Sequence, residues 1–459
     1  MMALHSDSAT WIRIATLVYT TTYINFNYLL VSAGPYVSRD TGGARQFWHV
    51  TDLHLDPSFH LTDDPRKVCF SSKGSPALNP GPYGDFLCDA PYLLIRSAFE
   101  YMKQIDQHPS FMLWTGDSPP HVPVKELSTD VVINVIRNMT LTIREFFPEL
   151  QVFPALGNHD YWPQDQLPVS TSEVYNAVAD MWKCWLTDDA LATLRKGGFY
   201  TQIWNSTVTQ QVLRIVSLNT NLYYSPNKET LNVTDPAQQF EWFEGVLKSA
   251  RQHKEQVYVI AHVPVGYLAF ARYTPAMRAH FNERLVKILR TYSDIIAGQF
   301  FGHTHRDSLM ILHDEKGNPV NSLFVAPAVT PIRNAMETES NNPGVRLFKY
   351  NEDDYNLLDI WQYFLNLTEA NEEKKPDWKL EYVMTTEYGI KDLQPSSLHQ
   401  LAKQFTESQS KQFSKYYTNY IVSYNDTFTC TGDCKLNQVC AIQYLDVVSY
   451  VNCILHGGL

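Results

Sequence analysis

Five short elements in the first two thirds of the chain carry side chains suited to metal-assisted chemistry. They are Asp52-Leu53-His54, Gly116-Asp117, Gly157-Asn158-His159-Asp160, a lone His262 and Gly302-His303-Thr304-His305. Imidazole and carboxylate groups are ligands for zinc and iron. The seven candidates Asp52, His54, Asp117, Asn158, His262, His303 and His305 exceed the four ligands of a structural zinc and suit two cations sharing a carboxylate. The D-x-H and H-x-H spacings predict extended segments in which alternate side chains share one face and reach one centre. Glycine before Asp117, Asn158 and His303 suits turns that bring the backbone close to an ion. Two cations sharing a hydroxide would lower its pKa towards ~7 and clamp a phosphoryl group for in-line attack. His159 stands beside Asn158 but is not needed as a ligand, which places it as general acid for the leaving group.

Any one of these histidines by itself is more economically read as packing or surface. Their joint meaning comes from the elements that must carry them. Short apolar runs at 46–51, 111–115, 152–156, 212–219, 257–261, 295–301 and 323–326 end against Gly, Asp, Asn, His or Pro and read as buried strands. Five of the seven end at a chemical element, and in α/β sheets ligands bind outside the carboxyl ends of strands. Helical spacing is expected over 92–107, 129–147, 173–185, 236–252 and 275–292, with Asp235-Pro236 as the start signal of the fourth. The alternation predicts an α/β sandwich flanked by helices over residues 45–360. A charged connector at 371–376 then leads into a small, disulfide-rich helical subdomain spanning 376–459.

The chain has 37 basic and 48 acidic residues, a formal charge of −11, so its surface repels a nucleic-acid duplex or an anionic membrane. If the substrate is a phosphate ester, bound cations must supply the positive charge. Seven cysteines leave an odd one, expected to be Cys184. Five sequons, at Asn138, Asn205, Asn232, Asn366 and Asn425, point with the cysteines to an oxidising compartment, secreted or lysosomal. There disulfides are favoured over a zinc knuckle. The pairing Cys69–Cys88, Cys430–Cys434 and Cys440–Cys453 is preferred, although four clustered cysteines permit three connectivities. Residues 1–33 read as an atypical signal peptide, apolar but interrupted by Arg13, Asn25 and Asn27.

The order D-x-H, G-D, G-N-H-D/E, H, G-H-x-H resembles that of the calcineurin-like dinuclear metallophosphoesterases. The stretches FWHVTDLHLD from Phe47, WTGDSPPH from Trp114, LGNHDY from Leu156 and GQFFGHTH from Gly298 are similar to acid sphingomyelinase-like phosphodiesterases of the 3A type. That resemblance covers residues 45–455. It implies the calcineurin-like fold and a dinuclear zinc site, with one zinc on Asp52, His54 and His305, the other on Asn158, His262 and His303, and Asp117 bridging. It also gives His121 a phosphate contact or a share in protonation. The acidic residue that many phosphatases of this fold carry three positions after the G-D aspartate is Pro120 here, leaving Asp160 or a backbone carbonyl to orient His159.

The resemblance further implies soluble substrates: nucleoside triphosphates, nucleotide-activated cholines, cyclic dinucleotides. Asp52 comes too early for the saposin-type lipid-binding domain of acid sphingomyelinase to precede it, which disfavours a lipid substrate. Tyr161 and Tyr267, just after ligand positions, are the candidate stacking walls for a base. The expected protein is a monomer with no stable membrane insertion. Competing readings are a sphingomyelin or phospholipid phosphodiesterase and a metal-stabilised binding protein without turnover.

Overall fold

The computed structural model describes residues 43–204, 206, 209–333 and 339–457; the leader expected at 1–33 and the sequon residue Asn205 lie outside the described residues. Two six-stranded sheets form the centre. The first has the order β12-β11-β10-β1-β2-β3, with β1 (Ala44–Val50), β2 (Met112–Trp114), β3 (Val152–Pro154), β10 (Gly344–Asn351), β11 (Leu357–Leu365) and β12 (Trp378–Val383). The second runs β4-β5-β6-β7-β9-β8, with β4 (Tyr200–Trp204), β5 (Leu213–Ser217), β6 (Gln256–Ile260), β7 (Ile296–Phe301), β8 (Ser308–His313) and β9 (Pro319–Val325). Strands β1, β2 and β3 run parallel, as do β5, β6, β7 and β9. Both faces of these strands are covered, which is why they read as continuous apolar runs.

Aromatic rings join the two sheets. Phe47 of β1 lies 5.5 Å from Phe300 of β7 and 5.7 Å from Tyr258 of β6, and Phe348 of β10 lies 5.0 Å from Phe300. All four are fully buried. Helices α1 (Tyr92–Ile105), α2 (Thr129–Phe146), α3 (Glu173–Trp182), α4 (Asp188–Gly197), α5 (Gln239–Gln252) and α6 (Ala279–Thr291) turn apolar stripes inward. Helix α3 ends at Trp182, short of the expected residue 185. Asp235 does receive helix N–H groups, from Phe240 and Glu241. However, Ala237 and Gln238 have φ of 55° and 58°, so the α-helix begins only at Gln239.

The expected domain boundary is corrected. The charged connector expected at 371–376 is partly helical: α7 (Leu367–Glu373) buries Leu367 and Ala370 in the main core, with Asn371 accepting from Tyr83 N and donating to Gly84 O. Strand β12 then pairs with β11, so the first sheet runs to Val383. The helical region follows as α8 (Met384–Tyr388), α9 (Pro395–Thr406), α10 (Lys411–Tyr420), α11 (Asp433–Gln443) and α12 (Val447–Leu455). Cys69–Cys88, Cys430–Cys434 and Cys440–Cys453 are disulfide-bonded, and Cys184 is free and exposed. Asn138 and Asn232 are exposed, while Asn366 and Asn425 are half-buried. None of the described helices is long and apolar enough to cross a membrane.

Candidate metal centre and cavity

The loops leaving β1, β2, β3, β6 and β7 meet at one end of the two sheets and bring all seven candidate ligands together. Asp52 and His54 follow β1, Asp117 follows β2, Asn158 follows β3, His262 follows β6, and His303 and His305 follow β7. The local backbone differs from the extended segments expected. Asp52, His54, Asp117, His303 and His305 all have positive φ, between 38° and 75°. Left-handed backbone at five non-glycine residues is disfavoured by their Cβ atoms and persists only where surrounding structure enforces it, as happens at functional sites. The D-x-H and H-x-H pairs therefore converge through tight turns and not through strand alternation. Glycine is needed for close approach at Gly157 and Gly302. A Cβ at the first would overlap the Asp117 carboxylate, and at the second Thr51 Oγ1.

The donor atoms face inward. His54 Nδ1 lies 2.7 Å from the Pro119 carbonyl and His262 Nδ1 2.7 Å from that of Thr115. A carbonyl only accepts, so each Nδ1 carries a proton and each Nε2 is the atom turned to the centre, where a cation would replace any proton on it. His54 Nε2 is 3.4 Å, and His262 Nε2 3.0 Å, from the same Asp117 Oδ2. His305 Nε2 is 3.2 Å from His54 Nε2 and 3.4 Å from Asp52 Oδ1. Asn158 Oδ1 is 3.0 Å from His262 Nε2 and 2.9 Å from His303 Nδ1. Its Nδ2 donates to Asp165 Oδ1 at 2.8 Å, which fixes the amide with its oxygen towards the centre.

Three donor groups have atoms within 4.8 Å of one another: Asp52, His54 and Asp117; Asp117, His262 and His303; and His54, His121 and His305. Thr51 Oγ1 donates to Asp52 Oδ2, while Asp52 Oδ1 is buried without a hydrogen-bond partner among the described residues. A buried carboxylate oxygen with nothing to accept from, facing converging imidazole nitrogens, fits a cation. The electrostatics agree. Burial would lower His54 and His262, yet the carboxylates of Asp52 and Asp117 raise them to about 10 and about 9. Burial would raise Asp52, but His262, His305 and His54 hold it well below the carboxylate range. The pocket demands positive charge.

His121 and His159 line the same cavity, their rings 4.2 Å apart. Asp89, which no motif marks, holds His121: Oδ2 accepts from His121 N at 2.6 Å, Oδ1 is 3.1 Å from Nδ1 and accepts from Thr330 Oγ1 at 3.0 Å. Burial lowers His121, with Asp89 pulling the other way. His159 is buried, which holds its imidazole well below its usual range. The orienting partner expected for it is corrected. Asp160 accepts instead from the backbone N–H groups of Gly157, Asp117 and Ser118, and so ties two ligand loops together. Gln164 Nε2 lies 3.1 Å from His159 Nε2, and His159 Nδ1 has no partner among the described residues.

The cavity has a volume of about 490 Å³. The expected aromatic walls are also corrected: Tyr161 packs against Tyr175, and Tyr267 stacks flat on Tyr450. Neither lines the cavity; Tyr224, Leu268 and Phe270 do. Lys73 and Arg333 bring two exposed positive charges to its rim.

The profile of the Calcineurin-like phosphoesterase family matches residues 45–307, and that of the Acid sphingomyelin phosphodiesterase C-terminal region matches residues 318–458. The chain is 64% identical over 409 residues to Cyclic GMP-AMP phosphodiesterase SMPDL3A of Homo sapiens, covering 89% of this chain and 90% of that protein. It is 40% identical over 424 residues to Acid sphingomyelinase-like phosphodiesterase 3b of Homo sapiens, covering 91% and 92%. It is 34% identical over 422 residues to Sphingomyelinase phosphodiesterase C of Dictyostelium discoideum, covering 89% and 92%.

Proposed function

Because the chain belongs to the calcineurin-like phosphoesterases and, within them, to the acid sphingomyelinase-like phosphodiesterases, we propose that it is a secreted or lysosomal dinuclear zinc enzyme acting on soluble nucleotides and nucleotide-linked phosphodiesters. The substrates are nucleoside triphosphates, CDP-choline-like compounds and cyclic dinucleotides, the last in keeping with the name of the 64% identical relative. The observation that carries the reading is one cavity lined by four of the seven candidate ligands, Asp117, Asn158, His303 and His305, together with His121, His159, two cationic side chains and an aromatic and aliphatic wall. Disulfides and exposed sequon residues support the compartment.

Asp52, His54 and His305 would hold one zinc, Asn158, His262 and His303 the other, with Asp117 shared; the imidazole-rich set suits that metal. Bound there, the pair supplies positive charge for the phosphoryl oxygens and the acidity that activates water as nucleophile. The chain's own side chains do the rest. His121, held by Asp89, contacts the phosphoryl group or shares in protonation, and His159, whose protonated form the negative charge of a bound phosphate favours against burial, delivers the proton to the leaving oxygen. Lys73 and Arg333 draw in the remaining phosphate charge, offsetting the net charge of −11. Tyr224, Leu268 and Phe270 receive the base or the leaving group.

The test compares product release from ATP, CDP-choline, a cyclic dinucleotide and sphingomyelin micelles at pH 5 and 7. Nucleotide turnover is expected. Hydrolysis of sphingomyelin alone would overturn the substrate class, and a fully metallated protein inert on every substrate would overturn the enzymatic reading.

A further inference from the structure

Leu268 and Phe270 form one wall of the cavity, and Leu268 also packs on the main core. The wall belongs to the loop between His262 and α6, closed by Leu268 N to Thr274 O, Thr274 N to Ala271 O and Ala276 N to Gly266 O. Further support comes from the far end of the chain. Tyr267 stacks on Tyr450 of α12 with ring centroids 3.8 Å apart and planes within 2°. Tyr273 N donates to Tyr450 Oη at 3.3 Å, and Arg272 pairs with Asp433 of α11 at 3.3 Å. At the loop's base, Asn282 accepts from Gly266 N and donates to Leu445 O, which lies between α11 and α12. Behind the wall, Leu268, Ala269 and Phe270 face Tyr416, Tyr420, Ala441 and Ile442 across a crevice of only about 30 Å³, roughly the space of one water.

These contacts form a unit of their own. Tyr267, Cys440, Ala441, Tyr450, Cys453 and Ile454 make a small buried cluster distinct from the main core; among the described residues Tyr267 is its one buried member from outside the C-terminal helices, and Ala269 of the same loop packs against it. The nine-residue α12 is too short to be stable unaided, and the Cys440–Cys453 disulfide ties it to α11. We infer that the disulfide-tied pair α11–α12 sets substrate affinity, with Tyr450 a positioning residue that acts through Tyr267 on the Leu268 and Phe270 wall. The inference rests on the reading above in one respect, that the cavity takes a phosphodiester. It assigns the C-terminal helices a part in recognition, while the chemistry stays with the loops at the strand ends.

The test uses the full-length protein and whichever of ATP, CDP-choline, a cyclic dinucleotide or bis(p-nitrophenyl) phosphate the unaltered enzyme turns over fastest, with equilibrium binding of AMP as a readout independent of turnover. Tyr450→Ala is expected to raise KM about tenfold with kcat within about twofold and the cation content unchanged. Tyr450→Phe keeps the stack and should keep KM. Phe270→Ala should raise KM similarly, and adding Tyr450→Ala to it should change KM by no more than about twofold, because both act on one wall. Should Tyr450→Ala fail to fold, Tyr267→Leu removes the same stack and should shift KM and AMP binding alike. Unchanged KM and AMP affinity, a fall confined to kcat, or effects of Tyr450→Ala and Phe270→Ala that multiply would overturn the inference. If no nucleotide is hydrolysed but the synthetic ester is, the substrate class fails while the positioning role is still decided on that ester.

Discussion

Asp89→Asn isolates the one carboxylate that touches His121 without belonging to a donor group of the metal centre. The substitution keeps shape and removes charge. Asp89 Oδ2 accepts from His121 N at 2.6 Å, while Oδ1 is shared between Nδ1 at 3.1 Å and Thr330 Oγ1 at 3.0 Å. An asparagine offers one oxygen for these partners and turns its NH2 towards either a backbone donor or the imidazole. The Thr330 hydroxyl can rotate to accept, but the charge-assisted bond to His121 is lost, an effect of ~1.5–3 kcal/mol. If that stabilisation acts on the reaction through the orientation of His121, kcat/KM falls ~10- to 150-fold. The assay is hydrolysis of bis(p-nitrophenyl) phosphate, with cation content measured on the same preparation and expected to be unchanged. Combining Asp89→Asn with His121→Ala should cost little beyond His121→Ala alone, since both remove one function. A rate within about twofold of the unaltered enzyme would refute the argument, and loss of cations would show that Asp89 acts through the metal centre instead.

Further outcomes follow from the same geometry. His159→Ala should retain both cations and lose ~10²–10⁴ in kcat, read by metal analysis beside turnover; unchanged turnover removes His159 from the mechanism. Asp165→Ala frees the Asn158 amide to flip and should weaken the affinity for one of two cations by ~10- to 100-fold in a chelator competition; cation affinities unchanged from those of the unaltered protein would contradict the orienting role. Glu381 tests stability against pH. Burial, and next the Asp307 charge, raise its carboxyl well above the usual range; Oε2 has no hydrogen-bond partner among the described residues while Oε1 accepts from Ser423. The folded protein therefore favours the protonated form, whose stabilisation is fully present below the unfolded value of ~4.3 and is lost as pH rises through the folded value. Glu381→Gln should raise Tm more at pH 7 than at pH 5, and an equal change at both would count against it.

The strand ends were legible because apolar runs terminate abruptly in His, Asp and Asn, and a buried parallel strand must be apolar on both faces. The turns behind them were not. Five left-handed residues replaced the extended D-x-H and H-x-H segments, since a two-residue spacing cannot report φ. Asp89 lies 32 residues from His121 and sits beside Cys88 in no motif, so its partner exists only in three dimensions. Asp165 had a weak sequence signal in its closeness to Asn158, and Gln164 none. Strand β12 is a short edge strand of six residues just after the charged connector, and fell inside the segment assigned to the helical subdomain. Tyr161 and Tyr267 are aromatic and close to ligand positions, but adjacency in sequence does not tell which way a ring turns; Tyr267 turned away, to Tyr450.

The most direct measurement is the divalent metal content of the purified full-length protein, compared with that of Asp117→Ala. With Asp117 Oδ2 facing both His54 and His262, about two zinc ions per chain are expected, and removal of this one carboxylate should deplete both together with activity. An active protein carrying no stoichiometric metal, or an Asp117→Ala variant keeping both ions and full turnover, would contradict the account.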